Sequence, residues 1–251
     1  MAKFIFFTVV FFNSRVALSP GYINFWVIWN VGQGQWITHV TNTECRHFDF
    51  GGEIQYFKFI QKQFLNFCAQ KTNRLYLSHG DLDHYNFITL INNRVNSVCW
   101  MVKPNDFNPS NLKIPLCLAP KLKINRIGPL TEFNSNQTVL NNCNPRYKNS
   151  CSTIFKREKF LFAGDSPKSK ERLWSPTLEH KSEIKVLVLG HHGSRTSTSQ
   201  SLIDRLPQLK MTVASARFAK YGHPHKETRS LLKKNKIPNL RTEFWGHLIF
   251  E

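Results

Sequence analysis

The densest chemistry in the chain lies in Ser78-His79-Gly80-Asp81-Leu82-Asp83-His84, where two histidines and two aspartates fall within six consecutive residues. A short strand-like run, Arg74–Ser78, feeds directly into it. A loop at a strand end can aim alternate side chains into one pocket, and imidazole with carboxylate suits Zn, Mn or Fe. Two ligands of each kind can serve two ions that share a site. Leu161-Phe162-Ala163-Gly164-Asp165-Ser166 puts another carboxylate at a strand end. A lone Gly-Asp usually marks only a turn, but in this company Asp165 could bridge two ions. Leu189-Gly190-His191-His192-Gly193-Ser194 follows a third strand. Adjacent histidines point different ways, so one ligand is expected from that pair. In Tyr221-Gly222-His223-Pro224-His225 the two histidines could hold a phosphate or protonate a departing oxygen. Six of the ten histidines lie in three of these clusters, and three of the clusters begin at strand ends.

The elements that must position these groups follow from the pattern of apolar residues. Asn24–Val31, Trp36–Val40 and Cys45–Asp49 are rich in aromatic and β-branched residues and read as strands. From Glu53 to Ala69 the residues Ile54, Phe57, Ile60, Phe64 and Phe67 recur at helical spacing, which predicts a helix with one face in the core. A helix is expected over Tyr85–Asn93, and loops with short strands over Asn105–Asn149. Beyond that, Cys151–Phe155 with Lys159–Ala163 reads as a hairpin and Lys168–Thr177 as a helix. Strands at Lys185–Leu189, Met211–Ser215 and Arg241–Phe244 alternate with helices at Ser199–Leu206 and His225–Lys236. Mixed sheets covered by helices on both outer faces would bury this pattern, giving an α/β (α+β) fold in a single domain.

The chain has 251 residues, enough for one large domain, and 41% apolar residues to fill its core. Lys and Arg total 34 against 16 acidic residues, a net charge of +18. That balance favours a polyanionic partner, nucleic acid or an anionic membrane surface. The basic residues are dispersed, so they are not a disordered basic tail. Of only six aspartates, Asp81, Asp83 and Asp165 sit in the clusters above. At the start, Lys3 precedes the apolar run Phe4–Phe12, too short to span a bilayer but shaped like a secretory signal. Residues 1–21 are read as that signal, cut near Ser19 or Gly21, and 22–251 as the domain; a buried first strand is the competing reading. No later stretch predicts stable membrane insertion. The six cysteines form no CxxC, which disfavours a zinc knuckle. Export, to the periplasm or the exterior, would permit disulfides. Cys143 and Cys151 could close a short loop, but the pairing is not readable.

Taken in order, the stretches Trp29–Gln35, Phe48–Gly52, Leu77–His84, Asn149–Ser152, Phe162–Asp165, Leu189–Ser194, Tyr221–His225 and Arg241–Gly246 resemble the metallo-β-lactamase-fold domain of the ComEC family of DNA-uptake proteins. The resemblance implies a four-layer αββα sandwich with a two-metal site along one edge, and a nuclease that degrades one DNA strand. By position it implies His79 and Asp81 on one ion, Asp83 and His84 on the other, Asp165 as the bridge and His191 as a late ligand. His192 is then a phosphate-binding or supporting group. Many hydrolases of the superfamily carry His where Asp81 stands, and more oxygen ligands shift the preference from Zn towards Mn. The usual Asp that ends the first motif is Gln35 here.

The expected reaction is phosphodiester hydrolysis by a metal-activated hydroxide on two divalent ions, Mn or Zn, with Asp83, His192, His223 and His225 in catalytic roles. Asn149, Ser150, Ser194 and Arg195 are expected to hold the phosphate. A small phosphodiester or RNA as substrate, or a non-catalytic basic DNA-binding or uptake protein, are the competing readings.

Overall fold

A computed structural model describes residues 23–91, 93–104, 107, 112–117 and 147–251. The leader reading, Cys143 and most of the 105–149 stretch lie outside the described residues. The elements in chain order are β1 (Asn24–Ile28), β2 (Trp36–Thr41), β3 (Glu44–Phe50), α1 (Ile54–Cys68), β4 (Thr72–Tyr76), α2 (Ile88–Ile91) and β5 (Ser97–Val102). There follow β6 (Phe155–Arg157), β7 (Phe160–Phe162), α3 (Lys168–Trp174), β8 (Val186–Val188), α4 (Gln200–Asp204) and β9 (Met211–Ala214). The last are α5 (Phe218–Tyr221), α6 (Lys226–Lys234), β10 (Asn239–Arg241), α7 (Thr242–Trp245) and β11 (Leu248–Phe250).

The strands form two mixed sheets, ordered β11-β1-β2-β3-β4-β5 and β10-β9-β8-β7-β6. In the first, β11, β1, β2 and β3 pair antiparallel, and β4 and β5 join in parallel. In the second, β7 to β10 are parallel and β6 returns antiparallel. The alternation along each strand puts one set of side chains between the sheets: Trp26, Ile28, Ile37 and Phe48 meet Phe160, Phe162, Val188 and Val213 there. The opposite face of the first sheet packs Val27, Trp29 and Trp36 against Phe57, Ile60 and Phe64 of α1. On the far face of the second sheet, Leu161, Leu187 and Ala214 are covered by Trp174, Leu202 and Leu232 of α3, α4 and α6. The chain is thus an α+β fold with two face-to-face sheets and helices on both outer faces.

Four local readings change; the helix expected over Tyr85–Asn93 is confined to α2, Ile88–Ile91. Ile54 is 55% exposed, whereas Phe57, Ile60 and Phe64 of the same face are buried against the sheet. Cys151–Phe155 is not a strand: Cys151 ends a 3-10 turn over residues 148–151, and β6 begins only at Phe155. This segment is spent on the site: the Thr153 amide donates to the Ser78 carbonyl (2.8 Å). Arg241–Phe244 divides into the end of β10 and the helix α7, since β9, its partner strand, stops at Ala214. β5 and β11 close the two edges of the first sheet, where no strand was expected. Among the described residues, the disulfides Cys45–Cys68 and Cys99–Cys117 tie β3 to α1 and β5 to the loop after it. Among the described residues no helix is long and apolar enough to cross a membrane.

Candidate metal centre

The sequence clusters converge at one end of the two sheets. The loop after β4 carries His79 to His84, the turn after β7 carries Asp165, and the turn after β8 carries His191 and His192. Asp165 lies between them, and its two oxygens face different ways. Oδ2 lies 3.8 Å from His79 Nε2 and 3.6 Å from His191 Nε2. Oδ1 lies 3.2 Å from His84 Nε2 and 3.8 Å from His192 Nε2. Each side is completed by one more carboxylate: Asp81 is 3.4 Å from His79, and Asp83 is 3.2 Å from His192.

The inward nitrogens of His79, His84 and His192 and Asp165 Oδ1 are buried and have no hydrogen-bond partner, the close approaches among them failing hydrogen-bond geometry. A buried polar atom left so costs about 1–3 kcal/mol, so four of them aimed at one place are a destabilising arrangement unless a cation completes it. Two overlapping sets, His79, His84, Asp165 and Asp83, His84, His192, bring ligand atoms within 4.8 Å of one another. Imidazole nitrogens with carboxylate oxygens form a donor set that divalent transition ions accept. The residues present fit such ions.

The other nitrogen of each buried histidine is tied down. His84 Nδ1 lies 2.7 Å from Asp49 Oδ2, His79 Nδ1 2.9 Å from Ser78 Oγ, and His192 Nδ1 3.0 Å from the Ser215 carbonyl. Such contacts select the tautomer and fix the ring. Asp49, buried at the end of β3, also accepts from the Ser78 amide (2.7 Å), the Ser78 hydroxyl (2.9 Å) and Gln35 Nε2 (2.7 Å). Sequence reasoning assigned Asp49 no role, although a carboxylate closing an apolar strand is the signal that could have found it. Gln35 suits its place, since an aspartate there would set two carboxylates together where the amide instead donates.

Three of the seven non-glycine residues with positive φ among the described residues lie here. Asp49, His191 and His192 have positive φ angles of 55°, 49° and 57°, a conformation costing roughly 1–2 kcal/mol for a non-glycine residue. The kink at His191 and His192 turns the second ring inward: His192 is buried, while His191 stands on the rim, 32% exposed in its side chain. The expectation of one ligand from this pair, His191, therefore meets a structure in which His192 is the one grouped with Asp83 and His84. Gly164, at φ +50°, lets Asp165 in: a Cβ there would meet Ser78 Cβ at 3.0 Å and Ser152 Cβ at 3.1 Å.

Charge follows geometry. Burial opposes ionisation of Asp165, yet His84, His192 and His79 around it hold its carboxyl well below the usual range. Burial likewise disfavours a charged His84, but Asp165 and Asp49 outweigh it and raise its pKa well above that of a free imidazole. His223, on the rim 5.9 Å from the His191 ring, is lowered to about 4 by burial and by the neighbouring histidines. His225 faces away, its Nδ1 against Glu227 at the start of α6. An open cleft of about 870 Å³ leads to the centre, lined by Asp81, Lys148, Asn149, Ser150, Asp165 and His191. Ser194 is buried, its hydroxyl on Thr196 (3.0 Å), and Arg195 is exposed beside it.

The chain is similar to parts of two curated proteins. It is 30% identical to ComE operon protein 3 of Bacillus subtilis over 105 residues, 39% of this chain and 13% of that protein. It is 31% identical to Recombination protein 2 of Haemophilus influenzae over 80 residues, 32% of this chain and 10% of that protein. The matches thus span about a tenth of the relatives' length. No family model matches the chain.

Proposed function

We propose that the chain is a metal-dependent phosphodiesterase of the metallo-β-lactamase fold, an αββα sandwich, and that it hydrolyses nucleic acid, DNA in particular. The observation that carries this reading is Asp165, one of whose oxygens lies against His79 and His191 and the other against His84 and His192. On the Oδ2 side His79, Asp81 and His191 would hold one ion; on the Oδ1 side Asp83, His84 and His192 would hold the other. Since His84 Nδ1 is engaged by Asp49, its Nε2 serves a single ion. Two such ions would supply a nucleophilic hydroxide at neutral pH and neutralise charge on a phosphate.

The chain's own residues do the rest. Asn149 and Ser150 line the cleft where phosphate oxygens would lie, and Lys148, held 3.4 Å from Asp81, adds a cation at the mouth. His223 stands on the rim, where its neutral ring would anchor a phosphate or sugar oxygen by a hydrogen bond. The net charge of +18 matches a polyanionic substrate. Similarity to proteins named for the ComE operon and for recombination supports a role in DNA uptake. The disulfides favour an oxidising compartment, in keeping with export.

The test is incubation of purified protein with single- and double-stranded DNA and RNA in Mn, Mg, Zn or EDTA. Cleavage of DNA that EDTA abolishes is expected. Stoichiometric DNA binding without cleavage under any metal would instead make the chain a binding protein.

A further inference from the structure

Four large aromatic side chains stand exposed on two short adjacent helices. Phe218 and Tyr221 lie on α5, Phe244 and Trp245 on α7, with Tyr221 59% and Phe244 67% exposed. The helices are tied together by the Phe218 amide, which donates to Glu243 Oε1 at 3.1 Å. Cations are interleaved with the rings. The Arg241 guanidinium lies 4.1 Å from the Phe244 centroid and 5.4 Å from that of Phe218, which Arg229 approaches at 5.6 Å. Lys220 stands 5.3 Å from the Tyr221 centroid. Glu243 pairs with Arg241, and Glu53 with Lys220 and Arg217, so four cations meet two carboxylates and the patch stays positive.

Aromatic rings left this exposed gain only part of the burial a core would give them, and a cluster of them marks a contact surface. Rings alternating with guanidinium groups suit an unpaired polynucleotide: bases stack on the rings and the cations take the phosphates. A duplex hides its base faces and gains only the second term. The patch also leads to the metal centre. The Tyr221 ring is 6.0 Å from that of His223, which is 5.9 Å from that of His191, whose Nε2 is 3.6 Å from Asp165.

We propose that α5 and α7 form a stacking platform for a single nucleic-acid strand, and that it delivers the strand past His223 to the metal centre. The delivery half rests on the phosphodiesterase reading; the binding half does not. The experiment therefore measures binding in EDTA, by fluorescence anisotropy of labelled oligothymidine and of a duplex of equal length, with the full chain and its Phe244→Ala and Tyr221→Ala variants. Circular dichroism checks folding, and these two exposed positions leave the core untouched. Each substitution is expected to weaken oligothymidine binding roughly tenfold and to leave duplex binding nearly unchanged. In Mn, hydrolysis of bis(p-nitrophenyl) phosphate, too small to reach the platform, should equal that of the wild type. Wild-type affinity for oligothymidine in both variants overturns the proposal, as does equal loss for strand and duplex. So does binding to phosphatidylglycerol vesicles that Phe244→Ala removes while oligothymidine binding persists, which would assign the patch to a membrane surface. If binding behaves as expected but the wild type hydrolyses neither DNA nor the small diester, the platform stands and the phosphodiesterase reading fails.

Discussion

An imidazole binds a metal ion through one nitrogen, and the contact made by the other decides whether that nitrogen is available. Asp49 makes that contact for His84 and touches no other candidate ligand on the inner side, so its role is to position. Asp49→Ala should weaken metal binding about 10–100-fold without removing a ligand, as read by chelator competition. Asp83 tests the opposite case. Its carboxylate is held ionised, against its own burial, by His192 and His84, and it faces the Oδ1 side of the centre. Asp83→Ala should abolish cleavage while leaving low-salt DNA affinity intact or slightly raised, because the dispersed Lys and Arg residues are untouched and one negative charge is gone. A folded variant that cuts at the wild-type rate would remove Asp83 from the site.

The elements matter through what they press against the site. The turn after β3 lies directly on the loop that bears Asp83: a Cβ at Gly51 would meet the Asp83 carbonyl carbon and the Tyr85 nitrogen at 2.5 Å. Both are backbone atoms and cannot swing aside. Gly51→Ala should therefore displace the loop, lowering stability by about 1–3 kcal/mol and weakening metal binding with it. Thermal melting and a metal titration on the same sample check both. A drop in Tm with unchanged metal affinity would show that the turn supports the fold alone. The adjoining turn holds the same loop: the Gln35 backbone amide donates to the Asp83 carbonyl at 3.1 Å, and the Gln35 carbonyl accepts from the Gly51 amide at 3.0 Å. The loop thus rests on two neighbouring turns of the first sheet.

For the whole molecule, the buried histidines of the first sheet set the acid limit. His47 is fully buried, accepts from Trp36 Nε1 (3.3 Å) and faces Asn73 Oδ1 (2.9 Å). Burial lowers its pKa to about 4, with Asn73 opposing. The unfolded chain takes up this proton near pH 6.5 and the folded chain only near 4, so between those values the unfolded state binds more protons and stability falls as pH falls. The loss is on the order of 3 kcal/mol when complete. His47→Gln removes this titration. Melting metal-free wild type and variant from pH 7 to 4.5 should show the gap in Tm moving in the variant's favour as the pH drops. A constant gap would mean that His47 is not held neutral.

Much of this was legible before folding. Metal ligands must be imidazole or carboxylate whatever the fold, and strands announce themselves by composition, so His79, Asp81, Asp83, His84, Asp165 and His191 could be read as strand-end groups from the chain alone. Net charge is likewise a property of composition. What local sequence cannot carry is a partner's position or a backbone twist imposed from outside. Asp49 is 29 residues from Ser78 and 35 from His84, and only the parallel pairing of β3 with β4 brings them together. His192 turns inward because its backbone and that of His191 are forced into the left-handed region, while the Ser215 carbonyl anchors the ring from the next strand's end. Arg241–Phe244 has the composition of a strand, but its partner strand ends at Ala214. Without further ladder hydrogen bonds to make, the chain coils into α7 and leaves Phe244 facing solvent.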